Sequence, residues 1–418
     1  MRCSVVHHLL LLGSLLAPSL VSGNLLDSFK NKFDDFFTDE KCLRTPKDLS
    51  KLKDLSNWMS KLVGDDDTVK LLDLTLPGSH NSAAYDLTTD LFELDPEFQV
   101  TRDGMITLGV PDKYFSSWFC DYALTQSLSI SEQLQAGIRY LDLHIDYDGA
   151  SFRGAHIMFG NSAEDLLLQI NTFVKLNTKE IVVVELSPLF AEVTSSQFAD
   201  LQDILLTNLD ESLLVPSTTD LYDVTINELV QAGTRIILVA NDEELLFNTT
   251  LVWDDSAAIL NTLPDTDNLD EMVTYNKEKL AVFSSSEPTS LYKLQWILTP
   301  ESDYIRSNPL EGSQLKLAQK ANPTLSSVTP TYDAETSAMK QIGNILSVDY
   351  LDYSNIFGLL GLDSYLDGDF IPEAVEEQSR WTGAAKAGLA AGLVILLCGC
   401  CCLTAVCRRR KRRGRGRK

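Results

Sequence analysis

The chain has 418 residues, enough for one large domain or two ordinary ones. Its composition, 44% hydrophobic and 22% charged, is ordinary for a globular protein. The net charge of −24 becomes −34 over residues 24–386 once Arg2 and the nine basic residues of 408–418 are set aside, which excludes nucleic acid and other polyanions as partners held by a general field.

Met1 to Gly23 reads as a secretory signal peptide: Arg2 leads an apolar run, Leu9 to Leu16, and Val21-Ser22-Gly23 offers small residues for cleavage. The alternative is a signal anchor, but the apolar run is short for a span. Residues 24–63 carry a helical pattern, first in Leu25, Leu26, Phe29, Phe33, Phe36 and Phe37, then in Leu49, Leu52, Leu55, Met59 and Leu62. From Leu71 onward short apolar runs alternate with helical stretches. The strands expected are 71–76, 138–146, 152–158, 181–186, 235–240, 280–284, 294–298 and 345–349. Helices are expected at 162–176, 195–210 and 222–232. This alternation predicts an α/β fold, a TIM-type (β/α)8 barrel over residues 64–356.

An acidic stalk, 357–386, leads to residues 387–407, which carry no charge. As a helix these 21 residues would rise about 31 Å, the thickness of a bilayer's hydrocarbon core. The basic tail 408–418 follows at once, so the expected topology is a single-pass type I membrane protein with an extracellular or lumenal ectodomain. Gly388 and Gly392 are spaced to let two spans form a weak dimer, although a generic small-residue helix accounts for them equally simply. Of eight cysteines, Cys398, Cys400, Cys401, Cys402 and Cys407 sit at the cytoplasmic end of the span, where palmitoylation or plain packing explains them. Cys42 and Cys120 remain in the oxidising compartment and are expected to pair. Asn248-Thr249-Thr250 is a glycosylation sequon.

Three histidines lie beyond the leader: His80, His144 and His156. Each falls at the end of one of the first three expected strands, where barrels carry their chemistry. In "GIRYLDLHIDYDG" (137–149), Tyr140, Asp142, His144 and Asp146 share one strand face and Leu141, Leu143 and Ile145 the other. Glu185 follows three valines, and Asp349 closes the last strand, placed to orient a histidine. Asp142 and His144 also have a plain structural reading, as buried hydrogen-bonding partners. Two facing histidines suit phosphodiester cleavage: one takes a proton from the attacking hydroxyl, the other gives one to the leaving oxygen. Charge on the phosphate then needs an arginine or a divalent metal on carboxylates. Phe115, Trp118 and Phe119 form an aromatic cluster near Cys120, which packs under a loop or dips into a lipid surface.

The segments "NWMSKL" (57–62), "LTLPGSHNSAAYDL" (74–87), "TQSLSISEQLQAGIRYLDLHI" (125–145), "AHIMFG" (155–160) and "INTFVKLNTKEIVVVEL" (170–186), in that order, resemble the phosphatidylinositol-specific phospholipase C X-domain-containing proteins. "LQWILTP" (294–300) and "NILSVDYLD" (344–352) look like that family's later barrel strands. The resemblance implies a distorted TIM barrel that cleaves a phosphoinositide-type diester at a membrane. It implies His80 as general base, His156 as general acid, Asp142 as the strand-two acid and Asp349 as the support of the base. Metal-independent relatives carry Asp after the first histidine and Arg two residues past the strand-two acid; this chain has Asn81 and His144. Calcium-dependent relatives carry Asn there, so Asn81, Asp142 and Glu185 form a candidate set of oxygen ligands for Ca2+ or another divalent cation. His144 is either a cationic stand-in for the arginine or a ligand to a softer metal. Two rival readings are an inactive barrel that binds a headgroup or a protein, and a metal-dependent phospholipase D-like lipase.

Overall fold

The computed structural model of the protein describes residues 41–43, 54–91, 96–107, 112–240, 245, 249–284, 290–308, 312–327 and 343–365. The expected leader, most of the segment 24–63, the stalk beyond 365, the span 387–407, the basic tail and Asn248 lie outside the described residues. Among the described residues, no helix is long and apolar enough to cross a membrane.

The strands in chain order are β1 (Lys41–Leu43), β2 (Leu76–Ser79), β3 (Asp86–Thr88), β4 (Tyr140–Leu143), β5 (Ile145–Tyr147), β6 (Phe152–His156), β7 (Met158–Ser162), β8 (Val182–Leu186), β9 (Ile236–Ala240), β10 (Trp253–Asp254), β11 (Ile259–Thr262), β12 (Leu291–Gln295) and β13 (Ile345–Val348). Eight of them form one parallel sheet in the order β10-β9-β8-β4-β2-β13-β12-β11. The helices that matter below are α1 (Trp58–Val63), α2 (Pro96–Thr107), α3 (Asp112–Ala123), α4 (Ile130–Gln135), α5 (Ala163–Leu176), α6 (Ser195–Asn208), α7 (Ile226–Ala232), α8 (Asp255–Ala258), α9 (Leu269–Ser284), α10 (Ser302–Ser307) and α11 (Gln314–Ala321).

The sheet curls but does not close: β10 and β11 are its two ends, joined by the short α8, and no ladder links them among the described residues. The expected closed eight-strand barrel is thus a curled eight-strand sheet. Its strands carry long apolar runs, such as Val182–Val184 and Ile236–Ala240, because helices cover the outer face while side chains fill the inside. α5, α6 and α7 start at Ser or Thr caps that accept the amide of the third helical residue. They coincide with three of the helices expected from the sequence.

Several expected strands move. Residues 71–73 form a 3-10 turn, and the strand begins at Leu76, running through Pro77-Gly78. A side chain at Gly78 would strike the Tyr140 ring at 2.7 Å, so only glycine lets β2 lie against β4. Residues 280–284 end α9 rather than forming a strand, and the strand expected at 294–298 runs from 291 to 295. The stretch 152–158 is not a barrel strand: β5, β6 and β7 make a separate antiparallel sheet, with a turn at Ile157. The short β10 and β11 complete the parallel sheet in place of 152–158 and 280–284. In the N-terminal segment, Lys41–Leu43 is a strand paired with β3, not helix. α1 does carry the expected Met59 face, and Leu55, Trp58 and Met59 are buried under the sheet.

That lower end is held by one ion pair. Arg139 and Glu180 are both fully buried, with Nη2 2.6 Å from Oε2. Arg139 also donates to the carbonyls of Leu55, Ser56, Leu134 and Ile138. Glu180 accepts the amides of Met59 and Ser60. Each charge is thus matched by hydrogen bonds, the condition under which a buried pair is tolerated. A second apolar cluster caps the opposite side, formed by Phe98 on α2, Phe115, Trp118, Phe119 and Tyr122 on α3, Met158, Ile305 and Tyr350. Phe115, Trp118 and Phe119 are 1%, 6% and 3% exposed, so they pack inside the molecule and do not reach a lipid surface. The Cys42–Cys120 disulfide, spanning Cα atoms 5.5 Å apart, lies in the same cluster.

Candidate active site

Strand register brings the site together. Val348 pairs with Ser79 and Ser79 with Leu141, while Asp142 pairs with Glu185. One step further along, Asp349, His80, Asp142 and Glu185 form a row across β13, β2, β4 and β8 at the carboxyl ends of the strands. His80 and Asp349, 269 residues apart in sequence, become neighbours because β2 and β13 are adjacent.

His80 Nδ1 is 2.7 Å from Asp349 Oδ1. Asp349 is itself buried, and its other oxygen accepts from Gln314 of α11. Gln126 donates to the backbone carbonyls of His80 and Val348, fixing the loop from below. The carboxylate holds the proton on Nδ1 and leaves Nε2 for chemistry. Burial works to lower the His80 pKa, but the charge and hydrogen bond of Asp349 outweigh it, so the ring titrates above its ordinary 6.5.

His156 ends β6, and its Nδ1 lies 2.7 Å from the Ala123 carbonyl oxygen at the end of α3. A carbonyl only accepts, so Nδ1 donates and Nε2 is again the free nitrogen. Burial pushes the His156 pKa down to about 4, helped by His144 and His80. A proton shared by the pair therefore prefers His80 over His156.

His144 sits at the break between β4 and β5, its ring centroid 6.5 Å from that of His156. Its Nε2 is 3.6 Å from Asp142 Oδ1, beyond hydrogen-bond range. Burial lowers the His144 pKa and, with His80 and Lys293 nearby, outweighs the attraction of Asp142. Of the two roles open to His144, cationic stand-in and metal ligand, the lowered pKa works against the first. Asp142 instead organises backbone: its Oδ2 accepts the Asn81 amide at 3.2 Å, and Ser187 donates to Oδ1. Asp146, expected on the same face, turns away to accept the amides of Phe190 and Ala191.

The candidate divalent-cation ligands do not fit an ion as they stand. Asn81 Oδ1 is buried without a hydrogen-bond partner, which favours one. Both oxygens of Glu185, however, are taken. Lys293 Nζ lies 2.7 Å from Oε1 and the Tyr140 hydroxyl 2.7 Å from Oε2. Lys293 was missed in the sequence. Its signal was a lone charge inside the apolar run Leu291–Leu298. Among the described residues, no group of three His, Cys, Asp or Glu side chains could hold a metal.

A cavity of about 580 Å³ is lined by His80 and His156 together with the apolar side chains of Phe98, Phe119, Ile157 and Ile305; of the row, His80 is the member that reaches it. Asp265 and Glu301 stand at it, and among the described residues no Lys or Arg does. Backbone conformation marks the same place independently. Among the described residues, four non-glycine residues have positive φ: Asn81, Ile157, Asp265 and Tyr350. Asn81 follows His80, Ile157 follows His156, Tyr350 follows Asp349, and Asp265 lines the cavity. Strained backbone gathers where side chains must be aimed, and a β-branched residue such as Ile157 (φ 61°) is the most costly case.

Known proteins agree with this architecture. No family model matches the chain. It is 28% identical over 196 residues to PI-PLC X domain-containing protein 1 of Danio rerio, covering 45% of this chain and 60% of the relative. It is 28% identical over 141 residues to PI-PLC X domain-containing protein 2 of Mus musculus, covering 32% of this chain and 40% of that one. The match to PI-PLC X domain-containing protein 3 of Danio rerio is 22% identical but spans 75% of this chain and 95% of the relative. Among solved structures, the phosphatidylinositol-specific phospholipase C of Listeria monocytogenes superposes with a TM-score of 0.53 at 18% identity, covering 74% of this chain and 98% of that one. The chain thus resembles the PI-PLC X domain-containing proteins in sequence, and its fold is that of the Listeria phospholipase.

Proposed function

From kinship with the PI-PLC X domain-containing proteins, we propose that this chain is a phosphoric diester hydrolase of the phosphatidylinositol phospholipase C type. Its substrate is an inositol phospholipid or a glycosylated derivative of one. The observation that carries the reading is that His80 and His156 face one cavity, each with Nδ1 committed to a fixed acceptor and Nε2 free.

The inositol 2-hydroxyl attacks the phosphorus while His80 Nε2 takes its proton. The bond to the lipid oxygen breaks as His156 Nε2 delivers a proton to it, giving a cyclic inositol phosphate and a diacylglycerol. Asp349 keeps His80 in the right tautomer and stabilises the imidazolium that forms. At rest the shared proton sits on His80; an anionic phosphate against His156 favours its imidazolium and moves the balance to the productive state. The apolar wall of Phe98, Phe119, Ile157 and Ile305 suits the lipid side of the diester. The type I topology read from the sequence belongs to this proposal, since a tether would hold an acidic ectodomain near an anionic lipid surface.

Product analysis tests the reading. Release of inositol phosphate from phosphatidylinositol, lost in His80→Ala and His156→Ala, is the expected result. Phosphate left on the lipid would indicate the phospholipase D-like reaction. Absence of any turnover by folded protein would leave the barrel as a binding module.

A further inference from the structure

Asp142 and Glu185 are directly paired on β4 and β8, two carboxylates side by side in a buried site. Such a pair needs a cation to remain charged. Lys293 reaches them from β12, with three strands of the curled sheet between it and β8. Its side chain is 3% exposed and that of Glu185 is 9% exposed. Lys293 Nζ donates to Glu185 Oε1 at 2.7 Å and to the Tyr140 hydroxyl at 2.9 Å, and that hydroxyl donates to Glu185 Oε2 at 2.7 Å. The three groups thus form a closed triangle in which every bond to the carboxylate comes from within the protein.

We infer that Lys293 is the built-in cation of this site: it masks a latent divalent-cation site made of Glu185, Asp142 and Asn81, so that the barrel works without metal. A calcium ion bonds carboxylate oxygens at about 2.3–2.6 Å. At Glu185 it would press two further positive charges against an ammonium that already holds the same carboxylate. The independent observation is Asn81 Oδ1, an oxygen buried without a hydrogen-bond partner on the residue whose amide binds Asp142. The catalytic consequence, activity without metal, rests on the phosphodiesterase reading; the binding statement does not.

The test is calorimetric titration of calcium into the full-length protein in detergent, comparing wild type, Glu185→Gln, Lys293→Met and the Lys293→Met/Glu185→Gln pair. Wild type and Glu185→Gln should give the same weak surface binding, and Lys293→Met should bind calcium at least about tenfold tighter, lost again in the double variant. Saturable wild-type binding that disappears in Glu185→Gln would overturn the inference, as would a cooperatively melting Lys293→Met that binds no better than wild type. If Lys293→Met does not melt cooperatively, the comparison of wild type with Glu185→Gln decides alone, equal weak binding supporting the masked site. Should no variant turn over an inositol lipid, the phosphodiesterase reading fails while these titrations still decide this one.

Discussion

His156 donates Nδ1–H to the Ala123 carbonyl, so it can give up a proton from Nε2 only as an imidazolium. Its pKa of about 4 and the raised pKa of His80 mean that the pair shares one proton across the intervening pH range. The expected profile of kcat/KM is a bell. It rises as pH climbs through about 4, where His156 loses its second proton, and falls as pH passes the pKa of His80, above 6.5. Because the two states with one shared proton titrate together, the limbs belong to the pair and not to fixed acid and base roles. Asp349→Asn removes the charge that raises His80, so the alkaline limb should move to lower pH and turnover should fall; a limb that stays in place would show that Asp349 does not set it. His80→Ala and His156→Ala should each lower kcat by roughly 10²–10⁴, read in the same assay. His80, His156, Asp142 and Asp349 were legible in the sequence because histidine is scarce and a charge at a strand end stands out. The protonation order was not, since it depends on a carbonyl at residue 123 and a carboxylate at 349 that only folding brings near. Lys293 escaped for the same reason, because its partner Glu185 lies across the sheet; Tyr140 was on the expected polar face, but its bond to Glu185 was not legible.

At the scale of elements, α1 is bound to the lower end of the sheet through Arg139 and Glu180, far from the cavity. Arg139→Ala leaves Glu180 buried without its cation, and should cost about 3–5 kcal/mol of stability in denaturant unfolding while leaving the pH profile of the remaining folded enzyme unchanged. A loss below about 1 kcal/mol would contradict the role assigned to the pair. The strands with long β-branched runs, 181–186 and 235–240, were plain from sequence. The two-residue β10 and the four-residue β11 were not, because strands that short carry little periodicity. The hairpin of β6 and β7 was mistaken for a barrel strand because its alternation is the same; only the positive φ at Ile157 turns the chain back. That turn is also what points His156 into the cavity from outside the parallel sheet.

For the whole molecule, the proposed function would set a charge of −34 over residues 24–386 against an anionic lipid. Repulsion between the two slows encounter and is screened by salt, with a Debye length near 30 Å at 0.01 M and about 8 Å at 0.15 M. Turnover of anionic phosphatidylinositol vesicles should therefore rise with added salt between these limits, whereas turnover of a water-soluble inositol phosphodiester, a lone monoanion without a charged surface, should change far less. A fall on vesicles would show that a local basic surface, not the net charge, governs approach. The central claim is that two histidines cleave a diester without help from metal. Its most direct test is release of inositol phosphate from phosphatidylinositol in detergent micelles by the full-length protein, with calcium, with chelator, and with His156→Ala. The account predicts release that survives chelation and is lost in His156→Ala; release abolished by chelator, or undiminished in His156→Ala, would contradict it.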